Sequence, residues 1–251
     1  MPLVVRIQSP PEGRLAAKPL LLLYFSTDRQ SSLPDGRYGE PGGLFLERGH
    51  RVASFDLPAH GERVDRHGSG IEGLCARMVA GGNPFDLFVA DGRAVIDECI
   101  RRGLAEEGRI VACGVSRGGY CAVRLAAAEP RISAVAALAP VTDWRSLREF
   151  SAVKDGPEVS ALALSRYAES LAGRRLYVAT GNHDLRVGTD ACTRFVLAVG
   201  EAERRFGVEK SGVRYLLVDD SSGHALAAKW RQEGVLFLLE NTTKGDAAPT
   251  P

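Results

Sequence analysis

The sequence predicts an α/β fold in which a doubly wound, mostly parallel sheet lies between two layers of helices. Seven short strand-like runs alternate with stretches of helical periodicity along the chain. Most of these runs are nearly continuously apolar rather than alternating, as in strands covered on both faces. With 251 residues the chain can bury one large core. We therefore expect a single domain over residues 1–241 and a flexible tail over 242–251.

The predicted strands are short runs rich in Leu, Val, Ile and aromatic residues. The first run is brief, and the second contains four consecutive leucines before Tyr24 and Phe25. Each of the five later runs ends at a Pro, Gly or Asp, residues that favour turns. In chain order the runs cover residues 3–9, 18–26, 51–58, 109–114, 132–140, 174–181 and 213–220.

Six helices are predicted between these runs from their apolar periodicity. Pro130 supports a helix end at Glu129. Two long segments, residues 60–85 and 143–156, fit neither pattern, and long loops at the carboxyl edge of such a sheet usually shape a pocket. The predicted helices cover residues 43–48, 86–102, 119–129, 158–171, 190–206 and 225–239.

Composition and charge exclude several classes of function. The 32 Lys and Arg residues are balanced by 31 Asp and Glu residues and form no basic stripe, so we expect no nucleic-acid partner. The longest apolar run near the start, residues 20–25, is too short to span a bilayer, so we expect no membrane partner. Five cysteines form no Cys-x-x-Cys pair, which favours reduced thiols and a cytoplasmic location.

The most informative motif is the pentapeptide Gly114-Val115-Ser116-Arg117-Gly118. It joins the run 109–114 to the helix predicted over 119–129, and this strand–turn–helix order is typical of a nucleophile elbow. The turn forces its serine into a strained backbone conformation, so small residues are needed where chain segments pass closely. The pentapeptide alone is a weak signal, and later residues strengthen it.

A nucleophilic serine needs a base, and an imidazole base needs a carboxylate that fixes its tautomer. The chain order that follows such an elbow is Ser, then Asp or Glu, then His. Asp184 follows the run 174–181, and His224 follows the run 213–220. Both lie at carboxyl ends of predicted strands, where loops converge on the elbow. We predict Ser116 as the nucleophile, Asp184 as the acid and His224 as the base.

Other carboxylates are alternatives for the acid. Asp184 could instead be a solvated loop carboxylate or a helix cap, and Asp190 could replace it. Asp219 and Asp220 precede the histidine on its own strand, which is an awkward position for a partner of His224.

The other four histidines are weaker candidates for the base. His50 and His67 fall in predicted surface segments, and His183 adjoins the proposed acid. His60 lies in the turn Asp56-Leu57-Pro58-Ala59-His60-Gly61, where a structural role is favoured over a catalytic one.

The tetrahedral intermediate of an acyl transfer carries an oxyanion that needs two preorganised donors. We predict the backbone N–H of Arg117, directly after the nucleophile, as the first donor. The turn after the second strand supplies the other, and we predict the N–H of Ser26, with Phe25 as the alternative. The Arg117 side chain, Trp144 and the loop 60–85 are candidates to line the pocket.

The chain resembles the α/β-hydrolase superfamily from about residue 20 to residue 239, and most resembles its dienelactone hydrolase and prolyl-oligopeptidase-like esterase branch. The segments that carry the resemblance are Gly49 to Glu62 with its D-x-P-x-H-G turn, Gly114 to Gly119, Ala139-Pro-Val-Thr-Asp-Trp144 and Asp184-Leu-Arg-Val187.

The resemblance implies an α/β-hydrolase fold with Ser116, Asp184 and His224 as its triad. The segment Tyr24-Phe25-Ser26-Thr27 lacks the His-Gly or Gly-Gly that is common at the family's oxyanion turn. No large insertion follows the sixth strand, which implies a small or absent lid built from residues 143–173 or 60–85. We see no propeller domain of the kind that gates peptides in oligopeptidases, which favours small esters as substrates.

Together these observations predict a carboxylesterase-like serine hydrolase that cleaves a small ester through an acyl-enzyme, without a cofactor. Peptidase, thioesterase or lactone hydrolase activity on the same triad is the alternative, because the shape of the pocket decides among them. A non-catalytic hydrolase-fold protein that binds a small ligand is a further alternative. We expect no metal, since His60, His67 and Asp65 match no ligand spacing. The expected partner is a small-molecule ester or related acyl substrate, and a homo-oligomer is compatible with the sequence.

Overall fold

Seven strands form one sheet in the computed structural model, which describes residues 3–11, 13–219, 223–225 and 227–240. The strands are β1 (Val5–Gln8), β2 (Leu21–Phe25), β3 (Arg51–Phe55), β4 (Ile110–Val115), β5 (Ile132–Leu138), β6 (Arg175–Gly181) and β7 (Val213–Val218). Their order is β1-β3-β2-β4-β5-β6-β7. β1 is antiparallel to β3, and every other neighbouring pair is parallel. The predicted mostly parallel sheet is confirmed.

Helices cover both faces of this sheet. They are α1 (Arg29–Ser32), α2 (Glu40–Glu47), α3 (Gly70–Val79), α4 (Pro84–Arg101), α5 (Arg117–Ala128), α6 (Pro157–Ser160), α7 (Ala168–Leu171), α8 (Thr189–Arg205) and α9 (Ala228–Glu240). Apolar residues of α4, α5 and α8 pack on one face, and those of α2 and α9 pack on the other. None of the helices in the described ranges is both long and apolar enough to cross a membrane.

The four consecutive leucines of the second predicted strand follow from this layered arrangement. Successive side chains of a strand point to opposite faces, so Leu21 and Leu23 enter one core while Leu20 and Leu22 enter the other. All four are at most 1% exposed. Burial of each such side chain contributes about 1.5–3 kcal/mol, which explains why the run is apolar throughout rather than alternating.

Three helical predictions are corrected by the structure. α3 lies inside the segment 60–85, which fitted no pattern because glycines interrupt it, although Ile71, Leu74 and Met78 have helical spacing and are buried. α1 was not predicted, since a single four-residue turn carries no periodicity. The helix predicted over 158–171 is broken into α6, the short 3-10 helix Leu164–Tyr167, and α7. The break follows from a tertiary hydrogen bond that the Leu164 N–H donates to Thr142 O at 2.8 Å.

The predicted single domain over residues 1–241 and the predicted flexible tail stay predictions. The proposed tail, residues 242–251, lies outside the described residues, as does the alternative acid Asp220. The first predicted strand is present as β1 on the edge of the sheet, before β2 in the chain.

Candidate active site

Ser116 occupies the sharp turn between β4 and α5. Its backbone has φ 56° and ψ −120°, a conformation that non-glycine residues rarely adopt and that costs about 1–3 kcal/mol. The end of β5 holds the turn in place. The Ser116 N–H donates to Leu138 O at 2.9 Å, and the Val141 N–H donates to Ser116 O at 3.0 Å. The predicted strand–serine–helix turn is therefore present, and it presents the hydroxyl at the carboxyl edge of the sheet.

Two glycines of the pentapeptide are required by close backbone approach. A Cβ on Gly114 would lie 2.1 Å from Gly118 O, inside the turn itself. A Cβ on Gly118 would lie 2.1 Å from Phe25 O, the last residue of β2. Gly118 thus allows the elbow to pack directly against the strand end that leads to the predicted oxyanion turn.

Asp184 is buried in the loop that follows β6. Its carboxylate is fixed by two backbone donors, because Oδ1 accepts the N–H of Arg186 at 3.0 Å and that of Val187 at 3.1 Å. The Asp184 N–H donates to Thr189 Oγ1, and this hydroxyl donates to Gly181 O at 2.6 Å. The side chain of Asp184 is fully buried, so the reading of this residue as a solvated loop carboxylate is wrong.

His224 connects this carboxylate to the serine. Its Nδ1 lies 2.8 Å from Asp184 Oδ2, and its Nε2 lies 3.0 Å from Ser116 Oγ. A carboxylate only accepts hydrogen bonds, so Nδ1 carries the proton and Nε2 is left as an acceptor for the Ser116 hydroxyl. The structure thus brings together the three side chains that the chain order predicted, although 108 positions separate Ser116 from His224.

The two alternative acids that the structure describes, Asp219 and Asp190, are bonded to residues other than His224. Asp219 accepts a hydrogen bond from Asn182 Nδ2 at 3.2 Å, and Asp190 pairs with Arg194 at 2.6 Å on the exposed side of α8. His183 is exposed and contacts Asn182.

The donor predicted at Ser26 needs correction. The Ser26 N–H already donates to Ser32 Oγ at 3.0 Å, in a buried environment. Ser32 Oγ donates its own proton to Asp28 O at 2.8 Å, so it acts towards Ser26 as an acceptor. Ser26 therefore ties the end of β2 to α1, and its amide is not available to an oxyanion. The alternative, Phe25, is the last residue of β2, inside the ladder with β4.

The backbone amides of Arg117 and Thr27, both near Ser116, donate to no acceptor among the described residues. The Arg117 N–H is at the first position of α5, where a helix offers no internal partner. The Thr27 N–H follows Ser26 in the turn after β2, and Thr27 lines the same cavity as Ser116. Thr27 could not be predicted as a donor, because the Ser26 amide is occupied by Ser32 of α1, a helix that carries no sequence signal.

The Arg117 side chain turns away from its backbone amide towards His60. Arg117 Nη1 lies 2.8 Å from His60 Nε2, and His60 Nδ1 lies 2.8 Å from Pro58 O. The carbonyl can only accept, so Nδ1 carries the proton of His60 and Nε2 accepts from Arg117. Burial lowers the pKa of His60 below its usual value, which keeps this imidazole neutral. His60 thus has the structural role that was favoured for it.

A cavity of about 630 Å³ opens beside Ser116. This volume suits a small organic ligand. Part of its wall is apolar and comes from the ends of the central strands, with Tyr24, Val115, Leu138 and Ala139. Trp144, a candidate lining residue, instead lies fully buried in the core against Tyr120.

Another part of the wall is charged. It consists of Arg37, Glu40, Arg117 and Arg231. Arg37 comes from the irregular segment between α1 and α2, and Glu40 is the first residue of α2; no pattern in the sequence linked either residue to the pocket.

A metal site or a reactive thiol next to the elbow would supply a different chemistry from that of Ser116. No three His, Cys, Asp or Glu side chains there are placed to share a metal ion. All five cysteines are described, and each is a free thiol. Burial raises the pKa of Cys113 and of Cys121, so these two thiols next to the elbow stay protonated.

The sequence matches a family model over residues 34–247, and that model describes the alpha/beta hydrolase family. The chain belongs to the alpha/beta hydrolase family. The superfamily expected from the sequence is therefore confirmed. No curated protein sequence matches this alpha/beta hydrolase.

Solved structures share the fold at low sequence identity. TT1662 from Thermus thermophilus has a TM-score of 0.69 and 22% identity, with 96% of this chain and 94% of that chain covered. An acylaminoacyl peptidase from Pyrococcus horikoshii has a TM-score of 0.67 and 14% identity, with 99% of this chain but only 41% of that chain covered. A cold-adapted esterase from an Arctic intertidal metagenomic library has a TM-score of 0.66 and 18% identity, with 94% and 87% covered. At these identities the likeness shows the fold alone.

Proposed function

We propose that this alpha/beta hydrolase is a serine hydrolase that cleaves a carboxylic ester of a small substrate through an acyl-enzyme. One observation carries the proposal: His224 lies within hydrogen-bond distance of both Ser116 Oγ and the buried carboxylate of Asp184. A hydroxyl at neutral pH is a poor nucleophile, and an acceptor nitrogen at 3.0 Å is placed to take its proton as it attacks.

The first half of the reaction forms the acyl-enzyme. Ser116 Oγ attacks the carbonyl carbon of the ester while its proton passes to His224 Nε2, and the carbonyl oxygen becomes an oxyanion. The N–H groups of Arg117 and Thr27 are the proposed donors to that oxyanion, since neither donates a hydrogen bond to an acceptor among the described residues. The intermediate then expels the alcohol, which takes the proton from His224, and the acyl group stays on Ser116.

The second half hydrolyses this intermediate. His224 accepts a proton from water, the resulting hydroxide attacks the acyl carbon, and Ser116 leaves with the proton that His224 returns. Throughout, Asp184 stabilises the imidazolium form and holds the ring in place through Oδ2. Its Oδ1 is fixed by two backbone amides, so the carboxylate is oriented before substrate binds.

Turnover of p-nitrophenyl acetate by wild type and Ser116→Ala tests this proposal. We expect the variant to lose ester hydrolysis while it keeps its circular dichroism spectrum, and the exposed Ser165→Ala to behave as wild type. Unchanged hydrolysis by Ser116→Ala would overturn the proposal. Aminoacyl p-nitroanilides, assayed beside p-nitrophenyl esters, separate an esterase from a peptidase on the same triad, and faster cleavage of the anilides would assign the peptidase alternative.

A further inference from the structure

The cavity beside Ser116 contains more positive than negative charge. Three arginines and one glutamate line it, in a chain whose formal net charge is only +1. A concave site lined by one sign of charge concentrates the field and attracts ligands of the opposite sign. The charged groups of this wall therefore favour a substrate that carries negative charge.

The single carboxylate of the wall is already satisfied. Glu40 Oε2 accepts from Arg231 Nε at 2.6 Å, and Glu40 Oε1 accepts from Gln232 Nε2 at 3.1 Å. Because Glu40 and Arg231 form an ion pair, their charges largely offset each other. The excess positive charge comes from the other two arginines.

These two arginines, Arg37 and Arg117, line the cavity together with Tyr38. The Arg37 guanidinium stacks on the Tyr38 ring at 5.4 Å from its centroid, and Arg117 interacts electrostatically with the Tyr38 phenol. Arg117 donates to the neutral imidazole of His60 and forms no ion pair with a carboxylate of the described residues. Arg37 is exposed and makes no hydrogen bond or ion pair with any described residue, so its guanidinium donors are open to a ligand.

We infer that the substrate is an ester that also carries a carboxylate, and that Arg37 selects for this carboxylate while Ser116 attacks the ester. This inference rests on the proposed function. A guanidinium binds a carboxylate through two parallel hydrogen bonds, and the apolar wall of Val115, Leu138 and Ala139 accommodates the short chain between the two groups. The same charge disfavours substrates with a free ammonium group, which separates this site from that of an aminopeptidase.

Paired substrates test the inference on each side of the ester bond. For a charge on the acyl side, mono-p-nitrophenyl adipate is compared with p-nitrophenyl hexanoate. For a charge on the alcohol side, 4-acetoxybenzoate is compared with its methyl ester. The readout is the ratio of kcat/KM for the charged substrate to that for the neutral one, with spontaneous hydrolysis subtracted. Comparison between variants cancels the intrinsic reactivity of each ester.

The ratio is measured in wild type, Arg37→Gln, Arg37→Glu and the control Arg14→Gln. Arg14 is also exposed, but it does not line the cavity. We expect Arg37→Gln to lower the ratio about tenfold in one arm, the size typical of one charge-assisted hydrogen bond, and Arg37→Glu to lower it further. The control should keep the wild-type ratio, and the responding arm identifies which side of the ester carries the carboxylate.

Other outcomes overturn the inference. Equal kcat/KM ratios in all four proteins, for both substrate pairs, would show that Arg37 does not select for a carboxylate. An equally lowered ratio in the control Arg14→Gln would show the same. Loss of the proposed function gives a different result: wild type would then release product from none of the four esters, and Ser116→Ala would match it.

Discussion

Asp184→Asn tests how the buried carboxylate controls the imidazole. Asp184 Oδ1 accepts two backbone N–H groups, so an asparagine keeps its carbonyl oxygen there and turns its NH₂ group towards His224 Nδ1. Two donors cannot share a hydrogen bond, so the imidazole moves its proton to Nε2. Nε2 then has no lone pair to accept the proton of Ser116. We expect kcat to fall about 10⁴-fold, or about 5.4 kcal/mol of barrier.

The assay is p-nitrophenyl acetate hydrolysis at saturating substrate, and Ser116→Ala gives the background rate without the nucleophile. Asp190→Asn is the matched control, because it also removes a carboxylate from the region after β6, but one that is exposed and paired with Arg194. We expect the control to stay within about twofold of wild type, as surface changes usually do. A kcat for Asp184→Asn within tenfold of wild type, with an unchanged near-ultraviolet spectrum, would refute the tautomer reasoning.

Three further predictions concern the supports of the site, measured as the free energy of unfolding in urea. Gly118→Ala should lower the free energy of unfolding by about 1–3 kcal/mol, because its Cβ would clash with the backbone. Gly200→Ala has open space on α8 and should raise the free energy of unfolding by about 0.5–1 kcal/mol. Equal effects of the two substitutions would contradict the packing argument. Ser32→Ala leaves the Ser26 amide unpaired and should cost about 1–3 kcal/mol, so an unchanged midpoint would show that the amide finds another acceptor. Burial lowers the pKa of His60 in the folded protein below its usual value of about 6.5. Below that pH the unfolded chain therefore takes up a proton that the folded chain does not. The contribution of the neutral His60 to stability is complete above about pH 6.5 and is lost as the pH falls. His60→Gln should therefore lose less stability than wild type between about pH 7.5 and pH 5, and equal losses would contradict this.

The parts of the site that follow from the chain direction could be predicted from the sequence. Parallel strands place their carboxyl ends at one edge of the sheet, so residues that follow β4, β6 and β7 were expected to meet, and Ser116, Asp184 and His224 do lie in contact. The glycines of the pentapeptide also indicate in the sequence that backbone segments pass closely there, as they do at Gly114 and Gly118.

What could not be predicted depends on side-chain contacts between segments that carry no pattern. The Ser26 amide looked available until Ser32, on a single helical turn, was found to accept its hydrogen. The Arg117 side chain lines the cavity as predicted, but its contact with His60 could not be predicted because the two residues lie 57 positions apart. Arg37 lies in an irregular segment after α1, where neither periodicity nor spacing links it to the nucleophile.

Covalent labelling with a fluorophosphonate tests most directly whether Ser116 is an activated nucleophile. Such a probe reacts quickly only with a serine whose proton is taken by a neighbouring base. We predict one adduct per wild-type chain, located on the peptide that contains Ser116, no adduct in Ser116→Ala, and much slower labelling in Asp184→Asn. An unlabelled wild-type protein, or equal labelling of Ser116→Ala, would contradict the proposed function and leave a hydrolase fold that binds its ligand without cleaving it.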